Sequence, residues 1–136
     1  MSQKSVAKLA AAYIEAHLFE ELEIETIAKE LNYSRFYIAR AFREYTGKTI
    51  YKYIQNRRLT EAARLLVETD LPIVEIAYEI NYHSQQAFTQ AFHRVYLCTP
   101  QVYRKKRLFY PIQQRLMKSQ MEKGRWEMRK KGELAA

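Results

Sequence analysis

Two stretches of this sequence of 136 residues offer side chains that could do recognisable chemistry. At helical spacing the first presents Arg35, Phe36, Ala39, Arg40 and Arg43 on one side, and the second presents Gln85, Gln86, Thr89, Gln90 and Arg94. Glu44 is the only acid within either helix. A merely solvated face mixes Glu and Lys freely. Arg and Gln without carboxylates instead suit base edges and phosphate oxygens, because a guanidinium pairs with guanine O6 and N7 and a carboxamide with adenine N6 and N7.

Other chemistries lack their residues. His17, His83 and His93 show no metal-ligand spacing with Cys98, Asp70 is the sole aspartate, and Gly47 is too solitary for a phosphate-cradling loop. No nucleophile has a recognisable base beside it in sequence. The expectation is therefore no enzyme, no cofactor and no metal. A lone cysteine forms no internal disulfide, and the first twenty residues contain no apolar run suited to a signal sequence or a membrane span, so a soluble cytoplasmic protein is expected.

The elements that must position these faces are helices. Three Gly and three Pro make a breaker-poor chain, and 48% hydrophobic residues suffice for a core. Val6, Leu9, Ala10, Tyr13, Ile14 and His17 predict a first helix over roughly residues 5 to 19. Ile24, Ile27, Ala28 and Leu31 predict a second, closed by Asn32, and Ser34 caps a third that Gly47 stops. Thr49 to about Glu68 reads as one long helix. Pro72 is expected as the first residue of a fifth, which Asn81 ends; Ser84 opens a sixth, and Thr99-Pro100 a short seventh.

The chain also repeats itself. IETIAKELNYSRFYIARAF at 24–42 answers IVEIAYEINYHSQQAFTQAF at 73–92, with Ile27, Ala28, Asn32 and Tyr33 matching Ile76, Ala77, Asn81 and Tyr82. Thr49 and Tyr53 then correspond to Thr99 and Tyr103. Each repeat is a short helix, a tight turn and a longer helix with one polar side, the layout of a helix-turn-helix. A linker helix of about 20 residues spans roughly 30 Å. Successive major-groove faces of B-DNA lie about 34 to 36 Å apart, so one chain could place two helices in adjacent grooves, and its unlike repeats would need an asymmetric site.

The formal net charge of +8 and pI of about 9.6 are misleading taken whole. Residues 1–34 carry three basic and six acidic groups, residues 35–64 eight and two, and residues 65–103 one and four, which cancel to zero. All of the excess sits in residues 104–136, with eleven basic and three acidic groups. The basic footprint of the core is thus the local band from Arg35 to Arg64.

The run RRLTEAARLL followed by DLPIVEIAYEINYHSQQAFTQAFHRVYLCTP resembles the AraC/XylS family of bacterial transcription regulators, and most of all its small MarA/SoxS/Rob-like members. NYSRFYIARAFREYTG at 32–47 resembles that group's first recognition unit, and Ser84, Gln85 and Gln86 its second. The similarity covers about residues 5–106. It implies an all-α fold of about seven helices: a first helix-turn-helix subdomain over 1–48, a linker helix over 49–70 and a second subdomain over 71–106; the resemblance fades beyond these, and the charge pattern alone marks 107–136 as a basic tail, either disordered or partly helical.

By position, the resemblance implies base contacts from Phe36, Ala39 and Arg40 in the first unit and from Gln85, Gln86, Thr89 and Gln90 in the second. Candidates for phosphate contact are Ser34, Arg35, Arg43, Lys48, Arg57, Ser84, Arg94, Arg104 and Lys105. It further implies a monomer bound to an asymmetric promoter site in double-stranded DNA, acting as an activator through contact with RNA polymerase. The length leaves no room for a small-molecule effector domain, so abundance would set activity. Asn32 and Asn81 stand where relatives usually have Gly, Ala39 replaces a polar residue, and Gln90 replaces an Arg, which shifts the expected preference from guanine towards adenine. In the tail, LFYPI at 108–112 is similar to a short apolar extension of some relatives, and Ile112, Leu116 and Trp126 permit a loose basic amphipathic helix. A solvated extension, sequence-independent DNA contact and a partner or membrane contact all stay open for it. The competing function is a helical adaptor that binds only proteins.

Overall fold

The computed structural model describes residues 2–116, which form seven helices and no strand. These are α1 (Gln3–Ala16), α2 (Ile24–Leu31), α3 (Arg35–Thr46), α4 (Ile50–Glu68), α5 (Ile73–Glu79), α6 (Gln85–Tyr96) and α7 (Pro100–Lys106). None is long and apolar enough to cross a membrane. The reading that involves Trp126 lies outside the described residues.

Short polar side chains start the helices. Ser2, Ser34, Thr49, Ser84 and Thr99 each accept a hydrogen bond from the backbone N–H three residues on, at 3.0–3.2 Å, which satisfies one orphan donor of the first turn. Asn32 (φ 61°) and Asn81 (φ 67°) take the left-handed conformation in the two turns, as expected. Two boundaries differ from expectation. Helix α1 ends at Ala16, and the Arg58 guanidinium binds the Leu18 and Glu20 carbonyls at 2.8 and 2.5 Å, turning the chain towards α4. Pro72 is the cap before α5 rather than its first residue, because its ψ of 146° is extended.

The repeat is a repeat of packing. In the first core Val6, Ala7, Ala10, Ala11 and Ile14 of α1 meet Ile27, Ala28, Ile38, Ala41, Phe42, Ile50, Tyr53 and Ile54. In the second, Leu59, Ala62, Ala63 and Leu66 of α4 stand where α1 stood, facing Ile76, Ala77, Ile80, Phe88, Ala91, Phe92, Tyr96 and Tyr103. Phe42 meets Tyr53 edge-on at 5.3 Å between ring centroids, and Phe92 meets Tyr103 edge-on at 5.4 Å. Helix α4 therefore closes one unit with its first half and founds the other with its second.

One repeat position is strained. Leu97 follows α6 where Gly47 follows α3, and both are left-handed, at φ 62° and 77°. Leucine there costs about 1–2 kcal/mol, and its side chain, 79% exposed, gains little from burial. Leu97→Gly is expected to raise the unfolding free energy by about 0.5–1 kcal/mol, since strain relief exceeds the added unfolded-state entropy of about 0.4–1 kcal/mol. The urea midpoint measures this, and an unchanged or lower midpoint would contradict it.

Residues 107–116 do not continue as a helix. Arg107, at φ 50°, turns the chain off α7, and the segment runs back along α4 with Phe109 and Ile112 on the second core and Leu116 on the first. This part of the tail is folded against the domain, neither a solvated extension nor the loose amphipathic helix that Ile112 and Leu116 permit.

Candidate nucleic-acid interface

Helices α3 and α6 hold their inner sides in the cores through Ile38, Ala41 and Phe42, and through Phe88, Ala91, Phe92 and Tyr96. Their outer sides are thereby fixed. Phe36, Arg40, Arg43, Gln85, Gln86, Gln90 and Arg94 are exposed, while Ala39 and Thr89 are half-buried beside them. Phe36 is 73% exposed, a state that wastes the burial value of an aromatic ring unless something covers it.

The first face borders a groove of about 660 Å³ between α3 and the start of α4, lined by Phe36, Ala39, Arg40, Arg43, Tyr51 and Ile54 among others. Neither Arg40 nor Arg43 has a side-chain hydrogen bond or ion pair among the described residues. Arg35 is occupied differently: its Nη1 donates to Glu25 Oε1 at 2.8 Å, and its guanidinium lies 4.9 Å from the Phe36 ring centroid. The Glu25 carboxyl is held below its usual value by backbone hydrogen bonding first and by Arg35 second. Arg35 can still reach a phosphate with its remaining donors, since a guanidinium carries five N–H groups.

A smaller hollow of about 250 Å³ follows along α4 and leads to the second unit, between Tyr51, Gln55, Arg58, Asn81, Tyr82, His83 and Ala87. Tyr51 is 75% exposed and borders both hollows, which places it between the two recognition faces. Tyr51, Gln55 and His83, which line this hollow, were not singled out from the sequence. The available signal was helical periodicity: residues 51, 55 and 58 share one side of α4. On the far side of α6, Gln85 shares a third hollow with Pro72, Val74, Arg104 and Lys105.

Three residues expected at phosphates are engaged within the fold, and of these Arg57 is closed to DNA. Arg57 lies about 200° round the helix from Gln55 and is only 3% exposed. Its Nε and Nη2 donate to Glu15 at 3.0 and 2.6 Å, Nη2 also reaches Glu61 at 3.2 Å, and Nη1 donates to the Gln113 carbonyl at 2.8 Å. Burial opposes its charge, but Glu15 and Glu61 outweigh burial and hold the guanidinium above its ordinary value. Four of its five N–H groups are spent on these partners and the side chain is buried, so Arg57 is a core ion pair and not a DNA contact. Arg104 donates from Nε and Nη2 to the Leu66 and Thr69 carbonyls at 3.0 and 3.3 Å, closing the C-terminal end of α4 where a cation is favoured. Lys48 is half-buried and its Nζ donates to Gln113 Oε1, on the side of α4 away from the recognition faces. Ser34 and Ser84 accept capping bonds on Oγ, so an anion would meet their O–H groups together with the first-turn N–H groups beside them. Lys105 is exposed near Gln85, and Arg94 is exposed on α6.

Among the described residues no three His, Cys, Asp or Glu side chains gather as a metal site would require. A family model described as a helix-turn-helix domain matches residues 27–106. The chain is 39% identical over 104 residues to the regulatory protein SoxS of Escherichia coli K12, covering 76% of this chain and 97% of that one. Among solved structures, a transcriptional regulator with an AraC-type DNA-binding domain from Chromobacterium violaceum superposes with a TM-score of 0.72 at 29% identity, covering 76% of this chain and 92% of that one. The DNA-binding domain of AdpA, solved with a target DNA, gives 0.69 at 27% identity, covering 78% and 93%.

Proposed function

The chain belongs to the AraC-type family of helix-turn-helix transcription regulators, DNA-binding proteins and not enzymes, and from that premise we propose that it works as a monomeric activator at an asymmetric promoter site. Its two units, residues 1–48 and 71–106, each set one recognition helix into adjacent major-groove segments, α3 and α6 respectively, joined by the linker over 49–70. The observation that carries this reading is a pair of outward, carboxylate-poor faces whose polar side chains lack partners of their own among the described residues: Arg40 and Arg43 on one, Gln85, Gln86 and Gln90 on the other. Both are held by one continuous helix of 19 residues, α4, whose length of about 28 Å is close to the groove repeat of about 34 to 36 Å.

Base reading is assigned to Arg40, with Phe36 and the half-buried Ala39 meeting thymine methyls, and to Gln85, Gln86, Thr89 and Gln90 in the other groove. Backbone positioning is assigned to Arg35, Arg43, Arg94, Lys105 and the first turns at Ser34 and Ser84. Bound to a promoter, the protein would present its remaining surface to RNA polymerase.

Selection of duplexes from a random pool tests the reading. One chain per duplex, base protection in two adjacent groove segments and a non-palindromic consensus are expected. A pool that gives no consensus favours a protein-binding adaptor instead. Within the selected site, the base pair facing Gln90 should prefer adenine over guanine by about 1–3 kcal/mol, because a carboxamide matches adenine N6 and N7. Strict dependence on guanine at that pair in a base-substituted panel would rule out the assignment.

A further inference from the structure

The two units meet chiefly through α4, and the middle of that helix is where one core ends and the other begins. Gln55, Asn56, Arg57 and Arg58 separate the last residue of the first core, Ile54, from the first of the second, Leu59. Thr60 Oγ1 donates back to the Asn56 carbonyl at 2.8 Å, a bond that loosens and tends to bend a helix. A strut hinged there would let one recognition helix swing relative to the other.

Residues 107–116 lie across this point. On the second unit, the Tyr110 N–H donates to Tyr103 Oη at 3.0 Å, Tyr96 Oη donates to the Tyr110 carbonyl at 3.1 Å, and Phe109 sits 4.6 Å below the Arg64 guanidinium. Over the middle of α4, Gln113 is 7% exposed. Its N–H donates to Thr60 Oγ1 at 3.1 Å, its carbonyl accepts from Arg57 at 2.8 Å and its side chain accepts from Lys48. On the first unit, Arg115 Nε donates to Glu15 at 2.8 Å, and the Leu116 N–H donates to Tyr53 Oη at 3.1 Å. Tyr53 and Tyr103 are the repeat-equivalent tyrosines, so one short segment binds the same hydroxyl of both units.

We propose that residues 107–116 form a strap that fixes the two recognition helices relative to each other, with Gln113 its central positioning residue, and so decides which half-site spacing the protein accepts. The proposal rests on the two-helix DNA reading above. One inserted base pair displaces the second half-site by about 3.4 Å and turns it by about 35°. Two rigidly joined modules lose most of their joint binding at such a shift, whereas loosely joined ones adapt.

The test uses the full-length chain carrying Ile112→Ala, Gln113→Ala and Leu116→Ala together, with Gln113→Ala alone as the milder variant. Ile112→Val with Leu116→Met serves as a conservative control. Each is titrated with the duplex selected by the wild type, with that duplex lengthened or shortened by one base pair between half-sites, and with a duplex carrying one half-site. The wild type and the control should bind the altered spacings at least about tenfold more weakly. In the triple variant that difference should shrink to within about threefold, with Gln113→Ala in between, while single half-site affinity is unchanged. Loss that is uniform across all duplexes would indicate only a destabilised fold, and an undiminished spacing preference would equally overturn the proposal. Thermal unfolding supplies a readout without DNA: one transition in the wild type and two in the triple variant are expected, and a single transition in both counts against the strap. A wild type that selects no duplex defeats the DNA reading itself, and the unfolding comparison then decides whether the strap couples the units.

Discussion

Replacing Glu15 with alanine is expected to lower the unfolding free energy by about 3 kcal/mol, the lower end of the range for breaking a buried ion pair. Arg57 cannot follow the change by moving to solvent, because it is enclosed by α1, α4 and residues 107–116. The Glu15 side chain is 7% exposed and takes hydrogen bonds from both Arg57 and Arg115. Glu61, at 3.2 Å from Arg57, survives the substitution and moderates the loss. For a domain of this size the melting temperature should fall by about 10–15 °C. Glu15→Gln keeps an acceptor and should cost less.

The same carboxylate gives a pH signature. Burial raises the Glu15 pKa, but Arg57 and Arg115 outweigh burial and hold it below its ordinary value of 4.5. The unfolded chain thus binds this proton more readily than the folded one. Glu15's contribution is fully present above about pH 4.5 and is lost as pH falls through the folded value, so the wild type should lose stability more steeply there than Glu15→Gln. Melting curves between pH 7 and pH 3 measure both effects. A Glu15→Ala variant melting within about 2 °C of the wild type would show the pair to be dispensable.

On the functional side, Arg40→Ala should weaken binding to the selected duplex by about 5- to 150-fold, the equivalent of about 1–3 kcal/mol. Discrimination at one base pair should disappear with it. A guanidinium that donates two parallel hydrogen bonds to guanine is not replaced by a point charge, so Arg40→Lys should recover little. Arg43→Ala provides the contrast. A phosphate contact carries no sequence information, so its removal should weaken all duplexes alike and flatten the salt dependence. Anisotropy titrations against single-base variants separate the two patterns. Uniform loss with Arg40→Ala would reassign that residue to the backbone.

Where short-range rules govern, the sequence was legible. Ser34 and Ser84 cap the helices they were expected to cap, Asn32 and Asn81 turn left-handed, and the repeated Ala-Phe pairs and their tyrosines occupy matching places in two cores. The site failed to read out where charge was taken without phase. Arg57 belongs to the same basic band as Arg40 and Arg43, yet it sits on the opposite side of α4 from the recognition faces, and only helical register distinguishes the two. Residues 107–116 were illegible for a different reason. Their partners, Glu15, Tyr53 and Thr60, lie 53 to 100 positions away in sequence, and an extended segment leaves no periodic pattern. Leu97 broke the repeat's own logic, because nothing local announces a leucine in a glycine conformation.

Because α4 serves as the last helix of one unit and the first of the other, its length is quantised rather than adjustable. A loop between two modules absorbs an added residue; a shared helix cannot. One extra residue in α4 would rotate everything beyond it by about 100° and carry α6 off the face it shares with α3. Seven extra residues restore the helix phase to within about 20° but advance the second unit by about 10 Å, close to three base pairs, over which the groove itself turns by about 105°. A shared helix of one length therefore fits one half-site spacing, while the side chains on α3 and α6 can change one base preference at a time.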